Sequence, residues 1–217
     1  MLKAVIFDLD GVIIDSEPFH WEVNKKIFRD LGIDVSPEEY QNYIGVSNTN
    51  MWAELKKKHR LPQSVKQLVA LQVSGNIDFM QREDFKPIDG VLALIHDLSM
   101  ENISLGLASS SPYTVINIVL SAFGIKRFFD AIVSGEDFQN GKPAPDIFLK
   151  AAELLNVSPG CCVVIEDSAH GASAAMAAGM KCIGLASGNS GGQNLTKANL
   201  IIRSLRDLTV QGIRALV

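Results

Sequence analysis

The chain has 217 residues, of which 47% are hydrophobic, and its charged side chains leave a formal net charge of −4 at pH 7. A chain of this length can bury a core large enough for one large domain, or for one domain with a smaller insertion, without disulfides. The negative charge argues against a nucleic acid or an anionic membrane held by bulk charge, so we expect a small-molecule partner.

No targeting or membrane-spanning stretch is visible in the sequence. The opening MLKAVIFDLDG is interrupted by acids too early for a secretory signal, and no run of about 18 apolar residues follows. Cys161, Cys162 and Cys182 have strand-like surroundings and no zinc spacing, which predicts buried reduced thiols. We expect a soluble cytoplasmic protein without nucleic-acid or membrane partners, and a monomer, with an oligomer left open.

The first predicted element is a short buried strand with the sequence KAVIFDL, residues 3–9. Four helical patterns follow before residue 85, and no strand pattern interrupts them. They cover residues 16–33, 36–46, 48–61 and 64–83. In the first of them, apolar residues from Phe19 to Leu31 recur at helical spacing. A helical block inserted after the first strand of an α/β domain predicts a cap domain, to which we assign residues 16–85.

From Gly90 onward the pattern alternates between strands and helices. The predicted strands are residues 104–110, 131–135, 161–167, 181–187 and 199–205, and the predicted helices are residues 89–102, 111–125, 145–157 and 168–180. This alternation is typical of a parallel sheet with covering helices. We therefore predict an α/β fold with a Rossmann-like parallel core made of residues 1–15 and 86–217.

Asp8 and Asp10 stand at the end of the first predicted strand, and Gly11 follows at once. Alternate residues of an extended chain share a face, so both carboxylates should project to the same side, and glycine lets the chain turn away. Two close carboxylates are tolerable if one is protonated, if a cation lies between them, or if the strand end is hydrated. The spacing does not fit a calcium loop of the EF-hand type.

Polar residues also end three other predicted strands. They are Ser109, Ser110 and Ser111 after the second strand, Lys142 in GKPAPD after the third, and Glu166 with Asp167 after the fourth. Ligands of doubly wound sheets bind beyond the carboxyl ends of the strands, so these loops could converge on one crevice. Neither a P-loop nor a dinucleotide-binding glycine motif is present.

Together these residue types suit phosphoryl transfer. A carboxylate can attack phosphorus, a second acid can move the proton, and Mg²⁺ with a lysine can neutralise the non-bridging oxygens. Hydroxyl and backbone N–H groups can hold the remaining oxygens. Each motif alone has an ordinary structural explanation as a cap or a turn, and it is their joint order that favours a site.

The motifs DLDGV, ASSS, GKPAPD and IEDS, in this order, resemble those of the haloacid dehalogenase superfamily of phosphohydrolases over essentially the whole chain. The insert with DSEPFH and GVS resembles the subgroup that contains beta-phosphoglucomutase and sugar-phosphate phosphatases. The resemblance implies that Asp8 is the nucleophile and Asp10 the general acid/base. It also implies that Ser109, Ser110, Lys142 and Gly11 contact the phosphoryl group.

For the metal, the resemblance implies a Mg²⁺ ion held by the Asp8 carboxylate, the Asp10 backbone carbonyl and Asp167, with Glu166 as a direct or water-mediated ligand. It further places Glu17 and His20, at the entry to the predicted cap, among the substrate-binding residues. An ordinary packing or capping role for His20 remains an equal alternative.

One departure from the subgroup concerns charge. The mutases carry an arginine directly after GVS and a lysine later in the cap, whereas this chain has Asn48 and no Lys or Arg from Gln67 to Gln81. A second phosphate group would be poorly held without them. We therefore expect a Mg²⁺-dependent phosphatase of a small phosphorylated metabolite, best matched by a sugar monophosphate, with a phosphomutase as the alternative. A non-enzymatic phosphorylatable switch is a third hypothesis, disfavoured by the insert and by Asp10.

Overall fold

The chain divides into two compact units in a computed structural model that describes residues 1–43, 46–186 and 192–217, without the side chains of Glu17 and Pro18. One unit comprises residues 1–15 and 86–217, and the other comprises residues 16–85. The first unit is therefore built from two separate stretches of chain, on either side of the second.

The first unit contains a six-stranded sheet in which every pairing is parallel. Its strands are β1 (Ala4–Phe7), β2 (Ser104–Ser109), β3 (Ala131–Ser134), β4 (Cys162–Glu166), β5 (Lys181–Leu185) and β6 (Leu200–Ile202). Their order is β3-β2-β1-β4-β5-β6. Because the chain order reverses on either side of β1, the switch point of the sheet lies at β1, where doubly wound folds bind ligands.

Helices follow the strands of this unit. They are α5 (Val91–Met100), α6 (Tyr113–Ala122), α7 (Asp146–Leu154), α8 (Ala169–Ala177) and α9 (Val210–Arg214). One face of the sheet packs on α7 and α8, where Ile6 and Val164 share a core with Phe148. Val5 and Phe7 point to the opposite face by strand alternation and are also fully buried. Both faces of β1 are therefore covered, which explains its uninterrupted apolar sequence.

The second unit contains helices joined by turns, with no strand among its described residues. Its helices are α1 (Glu17–Asp30), α2 (Pro37–Tyr40), α3 (Asn48–His59) and α4 (Val65–Arg82). Trp52 is fully buried in the core of this unit, and its indole N–H donates to Gln72 Oε1 at 2.8 Å. The Ser64 side chain accepts from the N–H of Gln67, and the Gln67 side chain accepts from the Ser64 N–H, forming a capping box that starts α4.

The predicted fold class is confirmed, because all six predicted strands form and the sheet is parallel. The predicted helix over residues 36–46 is shorter: α2 ends at Tyr40 and continues as a 3₁₀ turn, Gln41–Tyr43, while Ile44 and Gly45 lie outside the described residues. Helix α9 is an addition to the prediction. None of the helices in the described ranges combines the length and the apolar character that crossing a bilayer requires.

The three cysteines are free thiols, as predicted. Cys162 on β4 and Cys182 on β5 are fully buried, and Cys161 is half-buried. Burial raises the pKa of Cys162 to about 11 and that of Cys182 to about 12. Both therefore act as apolar core side chains rather than as nucleophiles at neutral pH.

Candidate active site

The site begins where β1 ends. The Asp8 N–H donates to the carbonyl of Ile165 at 3.0 Å, which extends the β1–β4 pairing by one residue and fixes the Asp8 backbone. The side chain of Asp8 is only 9% exposed. Strand pairing with a central, fully covered strand therefore places this carboxylate in a buried position at the switch point.

Gly11 meets two requirements that exclude a side chain. Its φ is +73°, and a Cβ atom at this position would overlap the carboxylate of Asp167. The Gly11 N–H donates to the carbonyl of Ile14 at 2.8 Å, which closes the turn after Asp10. The glycine predicted to let the chain turn thus also allows the loop after β4 to approach the loop after β1.

Lys142 joins three strand ends. Its Nζ forms an ion pair with Asp8 Oδ1, donates to Glu166 Oε1 at 2.8 Å and donates to the Ala108 carbonyl at 3.2 Å. Asp8 follows β1, Glu166 ends β4, and Ala108 is the last residue but one of β2. The ammonium also lies 4.8 Å from the centre of the buried Phe148 ring, a cation–π contact. The predicted convergence of Asp8, Lys142 and Glu166 is present in this unit.

Glu166 has both carboxylate oxygens engaged by protein groups. Oε1 accepts from Lys142, and Oε2 accepts from the N–H of Ser168 at 2.8 Å and from its hydroxyl at 2.9 Å. The side chain is 1% exposed, and a Cβ atom at Gly171 would overlap it. Glu166 is therefore held as the acceptor that orients Lys142.

Burial and like charges raise the pKa values of two carboxyl groups. Desolvation, with Glu166 and Asp10 nearby, raises the pKa of Asp8 to about 8 despite the opposing effect of Lys142. Desolvation and the neighbouring carboxylates also raise the pKa of the half-buried Asp167 well above its usual value. For Lys142, burial alone would lower the pKa, but Asp8 and Glu166 raise it, so the lysine remains charged.

The serine loop after β2 lies beside Asp10. Ser109 is fully buried and its Oγ accepts from the N–H of Ser111 at 3.0 Å, whereas Ser110 is exposed. The Ser111 hydroxyl donates to Asp10 Oδ2 at 2.7 Å. The sequence drew attention to this serine run but assigned Ser111 no role, because a contact between residues 101 positions apart has no local signature.

The metal prediction concerns the carboxylate side chains at these strand ends. Within residues 1–43, 46–186 and 192–217, no three His, Cys, Asp or Glu side chains are grouped so that they could hold a metal ion. Asp8 and Asp167 nevertheless supply the carboxylate oxygens that suit a hard divalent cation. A site here would therefore combine them with backbone carbonyl oxygens and water.

The remaining predicted residues belong to the unit of residues 16–85. His20 lies on α1, half-buried, with its ring 4.6 Å from that of Phe19. The Glu17 side chain lies outside the described residues. Asn48 is the first residue of α3, directly after the N-cap Ser47, whose side chain accepts from the N–H of Asn50.

Comparisons with known proteins agree with this fold. The chain is 35% identical over 218 residues to beta-phosphoglucomutase of Bacillus subtilis, covering 97% of this chain and 93% of the relative. It is 31% identical to hexitol phosphatase B of Escherichia coli O157:H7, covering 98% and 96%. The crystal structure of beta-phosphoglucomutase from Clostridium difficile matches with a TM-score of 0.85 and 31% identity, covering 99% and 96%.

A family model described as haloacid dehalogenase-like hydrolase matches residues 5–185, a range that begins in β1 and ends with β5. This range contains all four strand ends that carry the polar residues of the site. The chain belongs to the family of haloacid dehalogenase-like hydrolases.

Proposed function

We propose that the protein is a Mg²⁺-dependent phosphatase that hydrolyses a sugar monophosphate or a similar small phosphorylated metabolite through an aspartyl-phosphate on Asp8. The observation that carries the proposal is the ion pair of Lys142 with Asp8, reinforced by Glu166, at the switch point of the sheet. The similarity to a hexitol phosphatase over nearly the whole chain supports the reaction and the substrate class.

In the proposed first step, an Asp8 carboxylate oxygen attacks phosphorus and the bond from phosphorus to the ester oxygen breaks. The leaving alkoxide takes a proton from the Asp10 carboxyl, so an alcohol departs and Asp10 becomes a carboxylate. In the second step, Asp10 takes a proton from water as that water attacks the acyl-phosphate. Inorganic phosphate leaves, and Asp8 is restored as a carboxylate.

The neighbouring groups would stabilise the charge on the phosphoryl oxygens. Lys142 is held against Asp8 and is charged, so it can follow the non-bridging oxygens during transfer. Ser109 and Ser110 supply hydroxyl donors at the end of β2. Gly11, whose N–H donates to the Ile14 carbonyl, is proposed to contact the phosphoryl group through the backbone of the loop after Asp8. In the other unit, Glu17 and His20 are proposed to contact the substrate.

For the metal, the charges of the site support a divalent cation. The pKa values of Asp8 and Asp167 are raised by burial and by carboxylate neighbours, and among the described residues Lys142 is the cation that opposes this. Asp8, Asp167 and the Asp10 carbonyl would hold Mg²⁺, which when bound neutralises phosphoryl oxygens and keeps Asp8 ionised. Because protein donors engage both oxygens of Glu166, we favour the water-mediated alternative for that residue.

A test of the metal compares activity with protein stability. Exhaustive chelation should remove phosphate release, and Mg²⁺ should restore it, whereas Ca²⁺ should restore it poorly because of its looser coordination. Mg²⁺ should also raise the melting temperature of the wild type more than that of Asp167→Asn. Full turnover after chelation would contradict the metal site.

We further propose that residues 16–85 form a cap that selects the substrate. These residues form a separate compact unit with its own core, inserted in the chain between the two parts of the first unit. This organisation supports the proposal. A unit with its own core can change its surface residues without disturbing the site at the sheet. Specificity among sugar phosphates is therefore expected to change with substitutions in this unit.

A phosphomutase is the second candidate, favoured by the 35% identity to a beta-phosphoglucomutase. Against it stands the lack of cations at Asn48 and from Gln67 to Gln81, where a bisphosphate intermediate would need them. A charge-assisted contact contributes roughly 1.5–3 kcal/mol when it is made. Loss of two such contacts would shift the balance from a sugar hydroxyl to water as the acceptor.

The deciding experiment follows ³¹P signals of β-glucose 1-phosphate, glucose 6-phosphate and free phosphate in one reaction. We expect release of phosphate from hexose phosphates to exceed isomer exchange, and Asp8→Asn to abolish both. Isomer exchange that outpaces release, with a trace of bisphosphate present, would favour the mutase. A stable acyl-phosphate without phosphate release would favour the phosphorylatable switch.

A further inference from the structure

Ser111 makes a contact that the proposed reaction leaves without a role. Its hydroxyl donates to Asp10 Oδ2 at 2.7 Å, across 101 residues of sequence. The exposure of Asp10 as a residue is intermediate, so burial alone does not fix its carboxyl group. A hydrogen bond to one of its oxygens is therefore a means of setting its orientation.

The backbone of Ser111 is itself held from two strands. Its N–H donates to Ser109 Oγ at 3.0 Å, and its carbonyl accepts from Ser134 Oγ at 2.8 Å. Ser109 and Ser134 are fully buried at the ends of β2 and β3, which pair with each other in parallel. The hydroxyl of Ser111 is thus presented to Asp10 from a support of two buried side chains.

Close packing restricts the same loop. A Cβ atom at Gly135, the residue after β3, would lie 3.0 Å from the Ser110 Cα atom, tighter than ordinary van der Waals contact. Ser134 Oγ also accepts from the N–H of Glu136 at 3.1 Å, so its donor direction towards Ser111 is fixed. The loop after β2 therefore cannot move away without disturbing the end of β3.

We propose that Ser111 is a positioning residue that orients the Asp10 carboxyl group for proton transfer to the leaving oxygen; the inference rests on the proposed function. The Ser111 hydroxyl keeps its own proton throughout. The proton that moves belongs to Asp10, and it reaches the ester oxygen as the bond to phosphorus breaks. By donating to Oδ2, Ser111 stabilises one rotation of the carboxyl group about its Cβ–Cγ bond.

The test uses the dependence of kcat/KM on the leaving group, because this constant reports the steps up to departure of the alcohol. An alkyl phosphate needs a proton on its leaving oxygen, whereas the 4-nitrophenolate ion leaves without one. Because a full general acid contributes about 10²–10⁴-fold, misorientation in Ser111→Ala should cost about tenfold with an alkyl phosphate such as a hexose 6-phosphate. With 4-nitrophenyl phosphate the loss should stay within about twofold.

Three companion variants complete the experiment. Ser111→Thr retains the hydroxyl and should recover most of the alkyl phosphate activity. Ser121→Ala removes an exposed serine of α6 and should leave both substrates unaffected. Asp10→Asn should show the same leaving-group dependence as Ser111→Ala, but larger. The inhibition constant of inorganic phosphate should be unchanged in Ser111→Ala, since ground-state binding does not use this contact.

The outcomes separate the inference from the function on which it rests. Suppose that Asp10→Asn shows the expected leaving-group dependence. The positioning role is then overturned if Ser111→Ala loses activity equally with both substrates, or loses none with either. If Asp10→Asn also lacks that dependence, the role of Asp10 in the proposed reaction fails, and the inference fails with it. Thermal unfolding of Ser111→Thr and Ser111→Ala verifies that both variants fold.

Discussion

Lys142 is a buried cation whose charge is balanced by the residues around it. Its side chain is 7% exposed and pairs with those of Asp8 and Glu166, which are 9% and 1% exposed. A buried ion pair adds little net stability compared with a hydrophobic replacement of the whole group, because both charges lose water. Removal of one partner alone is costly, since the other charges are left without compensation. The lysine therefore balances the charge of the buried carboxyl groups, and in the proposed reaction it also contacts the phosphoryl group of the substrate.

We expect Lys142→Met to destabilise the metal-free protein by about 3–5 kcal/mol, because the buried Asp8 and Glu166 side chains lose the ammonium that pairs with both. The matched control is Lys150→Met, whose exposed pair with Glu153 should contribute at most about 1 kcal/mol. Urea denaturation of both variants at neutral pH measures the difference. Similar losses in the two variants would contradict the balancing role of Lys142.

A pH prediction follows from Asp8. Its pKa rises from 3.8 to about 8, mainly through desolvation. The protonated Asp8 carboxyl therefore contributes stability that is fully present below 3.8, the pKa in the unfolded chain. This contribution is lost as the pH rises through about 8, the pKa in the folded protein. Asp8→Asn imitates the neutral form, so in metal-free protein it should gain stability relative to the wild type between pH 5 and pH 8.

Urea denaturation with chelator at both pH values measures this gain. Addition of Mg²⁺ should stabilise the wild type more at pH 8 than at pH 5, because an ionised carboxylate binds the cation. An Asp8→Asn difference that is the same at both pH values would show that Asp8 is ionised throughout this range.

Helix α8 illustrates how an element is shaped by the site. Gly171 lies in its first turn and accepts no Cβ atom, because the Glu166 carboxylate occupies that space. Within an ordinary helix, alanine in place of glycine stabilises by about 1 kcal/mol. The sign should be reversed here, since the added methyl group would displace a buried carboxylate that holds Lys142.

We therefore expect Gly171→Ala to destabilise the protein by about 1–3 kcal/mol through overpacking, and to lower kcat because Lys142 loses its orientation. Gly160→Ala is the control, since nothing lies within 4 Å of the added Cβ atom. Thermal unfolding and phosphate release are measured for both variants. Unchanged stability and activity in Gly171→Ala would mean that Glu166 has another position available.

At the scale of the whole molecule, the two chain segments of the first unit, residues 1–15 and 86–217, contact each other next to the insertion. Ile14 pairs with Pro87 as an isolated antiparallel bridge, and the N–H of Ile88 donates to the Ile13 carbonyl at 2.9 Å. The two connections to residues 16–85 thus leave this unit side by side. A short linker could join Asp15 to Lys86 without stretching the sheet.

We expect a variant with residues 16–85 replaced by a short Gly/Ser linker to fold cooperatively and to hydrolyse 4-nitrophenyl phosphate slowly. It should lose discrimination among sugar phosphates, because the proposed selecting unit is gone. Circular dichroism during thermal unfolding and a substrate panel measure both properties, and the same variant with Asp8→Asn shows whether activity belongs to the site. A chain without a cooperative transition would mean that the insert is required for folding.

The sequence by itself determined the six strands, the helical insert and the polar residues at four strand ends. These features are local, since strand and helix patterns depend on spacing within a few residues. Parallel strands also end at a common edge, so the convergence of Asp8, Lys142 and Glu166 could be predicted without knowing the strand order.

Only the tertiary structure decided which strands are neighbours and how each side chain is engaged. The central position of β1, the two donors that occupy Glu166, and the bond from Ser111 to Asp10 all join residues from different loops or depend on rotamers. The contact of the Glu166 carboxylate with Gly171, where a Cβ atom would not fit, likewise depends on packing between residues of different elements. Such contacts are set by packing across the sheet edge, where residues distant in sequence meet, so no local pattern encodes them.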